Sequence, residues 1–190
     1  MASRVGSRPM GSDGTDFLHR ERIAGHYQSS ATNKSRFKWT IYLHFLLGLL
    51  MIFRLSVSFF VLLNIRPPSF LQRMRLPRAW MWEYVWLVSL MASMFGLFSL
   101  RKNRFVLMQQ FVIGWIIFGL GPVAYAMVTL FDELVKYWET RETTKLFLGF
   151  PIVVLWNMFL VIALQLHLFG LWFAWNLLRA WKPRGEKKKN

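Results

Sequence analysis

An ionisable or strongly polar side chain is costly inside lipid, so the residues best placed to do chemistry in this sequence are the few polar ones within its long apolar stretches. Arg54 and Glu83 are the charged residues found there. Arg54 falls about 22 Å along a helix begun at Trp39, and Glu83 about one turn into the next apolar run, so both approach the same face of a bilayer. Opposite charges at that depth suit an ion pair, or an arginine that snorkels and is steadied by the carboxylate. The same two groups, with the level of His44 and His167, would serve as a polar route in a small transporter or lipid-handling protein. Asn157, midway along the fourth run, is a hydrogen-bond partner for Arg54 or for a neighbouring backbone group.

A second set, His44, Gln109, Gln110, Gln165 and His167, lies at similar depth on three runs, towards their other end. These side chains are expected to form a polar cluster of interhelical hydrogen bonds. Two imidazoles without a carboxylate fall short of the three or four ligands that a metal site recruits. His19 and His26, seven residues apart in a polar segment, read as a solvated pair on one helix face. The sequence holds no Ser-His-Asp set, HExxH motif, phosphate-binding glycine loop or intramembrane acidic pair, and no cysteine. No catalytic, cofactor-binding or metal-binding residue is therefore assigned, no cofactor is expected, and the chain is not expected to be an enzyme.

The elements that must position these groups follow from composition. Hydrophobic residues make up 55% of the 190 residues, more than a soluble domain of this size can bury, so the excess must meet lipid. The formal charge of +15 would suggest nucleic acid in a soluble protein, but the basic residues flank the apolar runs, where they face anionic headgroups. Four runs reach the roughly 20 residues that cross hydrocarbon. They lie at about 39–63, 80–100, 105–131 and 146–175, with the fourth span proper at 146–168 and an interfacial extension carrying Trp172, Trp175 and Trp181. The expected fold is an all-α membrane protein, a four-helix transmembrane bundle with antiparallel neighbours over 39–175. Before it stands a cytosolic segment, 1–38, with a short helix from Phe17 to about Gln28 capped by Asp16. After it comes a basic cytosolic tail, 176–190. No apolar stretch occupies the first 38 residues, so the first span is expected to act as its own insertion signal. Gly114, Gly119 and Gly121-Pro122 predict close packing and a kink in the third span.

Direction follows from charge. Sixteen Lys and Arg flank the spans on the side of the termini and seven on the other, four of them in the 64–79 loop. The positive-inside rule places both termini in the cytosol. The sequon at Asn33 is then expected to stay unmodified. The last residues, Lys187-Lys188-Lys189-Asn190, put lysines at the third and fourth positions from the end. Lys187 and Lys188 match the di-lysine retrieval signal read in the cytosol by coat protein I, and a basic tail lying on acidic lipid is the plain alternative.

Several blocks resemble the Jagunal family: Met1-Ala2-Ser3-Arg4, Asp13-Gly14-Thr15-Asp16-Phe17, His19-Arg20-Glu21-Arg22 and His26-Tyr27-Gln28 at the N-terminus. The likeness continues through Trp82-Glu83-Tyr84, Gly96-Leu97-Phe98-Ser99, Leu148-Gly149-Phe150, Gln165-Leu166-His167 and the di-lysine end. It covers nearly the whole chain, with departures in the 64–79 and 132–145 loops. The resemblance implies a non-enzymatic, multi-pass protein of the endoplasmic reticulum membrane that supports reticulum organisation and vesicle-mediated transport in the early secretory pathway. Its implied partner is coat protein I; membrane lipids are expected from the charge pattern, nucleic acid is not, and client secretory or membrane proteins are the partners of a third, chaperone-like reading. His19, Arg20, Glu21 and Arg22 are the candidate contact for a cytosolic partner, and a solvated helix held to lipid headgroups by Arg20 and Arg22 explains the same residues.

Overall fold

A computed structural model of the chain describes residues 15–74, 76–141, 146–147 and 149–182. In chain order the elements are α1 (Thr15–Leu62), α2 (Ser69–Arg73), α3 (Met81–Leu87), α4 (Ser89–Arg101), α5 (Phe105–Gly114), a π-helical segment (Trp115–Leu120), α6 (Gly121–Thr140), β1 (Leu146–Phe147), β2 (Phe150–Pro151) and α7 (Ile152–Trp181). Consecutive pieces join into four rods long and apolar enough to cross a membrane: Tyr27–Leu62, Met81–Arg101, Phe105–Thr140 and Ile152–Trp181. The fold is thus the all-α, four-span bundle that the apolar runs predict.

Boundaries differ from the sequence expectation at the start of α1 and at both ends of α7. The short helix expected over Phe17–Gln28 is not separate, because α1 runs unbroken from Thr15 to Leu62. No proline interrupts it, and Gly25 is its one weak point before the span. Extending a helix already nucleated by packing needs only one more hydrogen bond per residue. The fourth span starts at Ile152 rather than 146, since Leu146–Phe147 pairs antiparallel with Phe150–Pro151. Gly149, at a φ of +82°, makes the reversal that a side chain would resist. Pro151 then precedes the first turn of α7, where a missing N–H costs nothing. At its far end α7 continues as one helix to Trp181 rather than stopping near 168 or 175.

The expected kink at Gly121-Pro122 takes the form of a π-helical turn. Proline lacks the N–H that would bond the preceding turn, and the helix widens just before it, with the Gly121 N–H reaching the Ile116 carbonyl five residues back. The 64–79 loop also carries structure: α2 anchors it by burying Leu71, and Gln72 Nε2 donates to the Pro67 carbonyl at 2.6 Å.

Two apolar clusters fill the bundle. One holds Met51, Leu55, Trp82, Trp86, Leu130 and Leu160, and the other Phe37, Ile41, Met108, Phe111, Trp115 and Leu177. Gly114 sits against Ala92, so the third and second spans approach closely. Large apolar side chains such as Leu49, Phe98, Ile117 and Phe169 point outward, where hydrocarbon is their solvent.

Candidate functional site

The two clusters leave a polar layer between them. On α1, His44 lies between Ile41 and Leu47; on α7, His167 lies between Ala163 and Ala174. Both imidazoles are fully buried, with ring centroids 5.0 Å apart, and Trp115 lies tilted against both, with centroids at 4.4 and 4.7 Å. Ser89 and Ser93, one turn apart on α4, face the His44 ring. The Ser89 hydroxyl lies 3.1 Å from its Nε2 and the Ser93 hydroxyl 3.3 Å from its Nδ1. Each hydroxyl also reaches its own helix, Ser89 to the Trp86 carbonyl and Ser93 to the Ser89 carbonyl. A hydroxyl has one proton and a neutral imidazole one N–H. A neutral His44 is therefore satisfied when it donates to one serine and accepts from the other, which gives up its helix carbonyl.

His167 is held differently. Its Nδ1–H donates to the Ala163 carbonyl at 2.6 Å, and its own carbonyl accepts from Trp115 Nε1 at 3.1 Å. Its Nε2 has no hydrogen-bond partner and stands over Gly119, where a Cβ would collide with the ring. The π-helical turn carries both Trp115 and Gly119, so the distortion before Pro122 is what seats the third span on His167.

The second site lies about two turns before the end of α1. Arg54 Nη2 is 3.7 Å from Glu83 Oε1, with the Glu83 side chain fully enclosed and that of Arg54 13% exposed. That separation is an ion pair longer than a hydrogen bond. Arg54 Nη2 also donates to the Arg78 carbonyl at 3.2 Å, and the guanidinium lies over the Trp156 ring at 5.5 Å. Asn157 turns away from Arg54 and donates to the Val153 carbonyl at 2.8 Å.

Against this geometry, a family model described as "Jagunal, ER re-organisation during oogenesis" matches residues 1–185. The chain belongs to the Jagunal family. It is 34% identical to Protein jagunal of Drosophila melanogaster, covering all of this chain and 99% of the relative. It is 33% identical to Protein jagunal homolog 1 of Homo sapiens over the whole of both chains, and 34% identical to Protein jagunal homolog of Caenorhabditis elegans over 96% and 98%.

In this Jagunal chain the expected five-residue cluster is reduced to its two histidines. Gln109, Gln110 and Gln165 are exposed on the outside of the bundle, because Met108 and Phe111 take the inward positions of α5 and Ala163 and His167 those of α7. The layer is also deeper than expected. Ser89 and Ser93 occupy the middle of the 21-residue second rod, so the histidines belong to the centre of the bundle rather than to one end. Sequence reasoning missed both serines, although their four-residue spacing in an apolar helix is a signal that one face is hydrogen-bonded. His19, Arg20, Glu21 and Arg22 lie on α1, with Glu21 exposed. Lys187 and Lys188 fall outside the described residues. Among those described, no three His, Cys, Asp or Glu gather as metal ligands.

Proposed function

We propose that this Jagunal chain is a non-enzymatic, multi-pass protein of the endoplasmic reticulum membrane that supports reticulum organisation and early secretory transport. The observation that carries this reading is the match of residues 1–185 to a family described by reticulum reorganisation. Its support from geometry is that His44 is hydrogen-bonded to Ser89 and Ser93 and that Glu83 is paired with Arg54 within the bundle. The packed residues Leu47, Met51 and Trp86 separate the His44 layer from Arg54 and Glu83, which disfavours a polar transport route. Both termini face the cytosol in this reading. Lys187 and Lys188 there serve as a retrieval signal for coat protein I, and His19 to Arg22 contact a cytosolic partner, with client secretory or membrane proteins as further partners.

Changing Lys187 and Lys188 to Ser should move a tagged full-length protein from the reticulum to later secretory compartments. An unchanged reticular pattern would remove retrieval from the proposal. Loss of the protein should alter reticulum morphology and delay secretory cargo, and a cell with normal reticulum and normal cargo kinetics would overturn the organising role.

A further inference from the structure

The four arginines of the 64–79 loop are unusual on the side of the membrane that the charge balance assigns to fewer basic residues, and the structure places their loop at the mouth of a cavity. This cavity, about 340 Å³, lies between α1 and α7 and is walled by Leu50, Met51, Leu155 and Phe159, with Leu76 and Pro77 of the loop also lining it. Its α7 wall from Ile152 to Phe159 is about 10 Å long, the scale of part of an acyl chain. One charged residue, Arg54, lines it, and that guanidinium ties the loop over the opening through the Arg78 carbonyl. Glu83 answers the charge of Arg54. Arg66, Arg73 and Arg78 are exposed, and among the described residues none of the three meets a carboxylate. The buried Leu71 of α2 and the Gln72–Pro67 hydrogen bond hold the loop in place.

An apolar slot lined in part by Leu76 and Pro77, whose loop carries the exposed Arg66, Arg73 and Arg78 with no carboxylate partner among the described residues, has the complementarity of an amphiphile with an acidic head. We propose that this site holds one anionic glycerophospholipid, an acyl chain in the cavity and its headgroup against the loop arginines. The bilayer supplies the ligand, and the site does not depend on the trafficking role. Arginine near an anionic lipid surface strengthens association by roughly fivefold per residue, so three arginines should discriminate strongly between acidic and zwitterionic heads.

The test is native mass spectrometry of the full-length protein purified in detergent and titrated with phosphatidylserine or phosphatidylcholine of identical acyl chains. Phosphatidylserine should be retained at a concentration at least about tenfold lower than phosphatidylcholine. Replacing Arg66, Arg73 and Arg78 together with Gln, all at exposed positions, should abolish that difference. Leu155→Trp, which fills the slot, should reduce retention of both lipids. Equal retention of the two lipids by the native protein, or a preference that survives the triple replacement, would overturn the proposal. If Leu155→Trp lowers the melting temperature, the triple variant decides alone.

Discussion

The Arg54 guanidinium stands 3.7 Å from the carboxylate of Glu83, a side chain with no exposed surface. Removing one member of such a pair leaves the other charge buried, which costs more than the pair contributes. Glu83→Gln should therefore lower stability by about 3 kcal/mol, read as a reduced melting temperature in detergent and reduced abundance in cells. The double change to Met at Arg54 and Glu83 should recover much of the loss. A Glu83→Gln protein that melts like the parent would show the pair to be dispensable.

The hydroxyls of Ser89 and Ser93 are the groups that satisfy both nitrogens of His44. Replacing both serines with Ala should cost about 1–3 kcal/mol, the penalty for polar groups left without partners in a core. Gln109→Ala and Gln165→Ala, at outward positions, should stay within about 0.5 kcal/mol of the parent. Thermal unfolding of these three variants and the parent in one detergent checks the contrast, and equal melting temperatures would sink it.

Gly119 leaves the space that the His167 ring occupies. Gly119→Ala should force the third and fourth spans apart at a cost of about 1–3 kcal/mol. Combining it with His167→Ala should cost less than the sum of the two single changes, because each relieves the other. Strict additivity in that double-mutant cycle would place the contact elsewhere.

Lys34 Nζ lies 5.7 Å from the Trp181 ring centroid, so the approach to the first span and the end of the fourth meet at one end of the bundle. Epitope tags at the two termini of the full-length protein should therefore show equal protease sensitivity in intact microsomes. Loss of both tags without detergent is the result expected for cytosolic termini, and protection of both would reverse the orientation. Asn33 is a weaker reporter than the charge count alone suggests, since it lies within α1 and is partly buried.

The number of crossings was legible because hydrocarbon thickness imposes a length, and the four apolar runs meet it. The Arg54–Glu83 contact was legible only as one of two readings, since two opposite charges at one depth allow either an ion pair or a snorkelling arginine. Helix ends were less so. Leu146, Phe147 and Phe150 are as apolar as any span, and only Gly149 and Pro151 mark them as a hairpin. The polar layer was half read: depth along a run grouped the glutamines with the histidines, whereas angular position separates Gln165 from His167. Residues two apart on a helix differ by about 200° in direction. The serines escaped because a small hydroxyl in an apolar helix resembles a packing residue until its cross-span neighbour is known.

The continuity of α1 joins the first span to the segment before it in one rod. From Phe37, buried in the bundle, back to Thr15 the helix projects about 33 Å without a break. Residues 19–22 are thereby set at a fixed height and a fixed phase relative to His44 and Arg54. One residue added to that stretch would lengthen the helix by about 1.5 Å and turn everything before the insertion by about 100°.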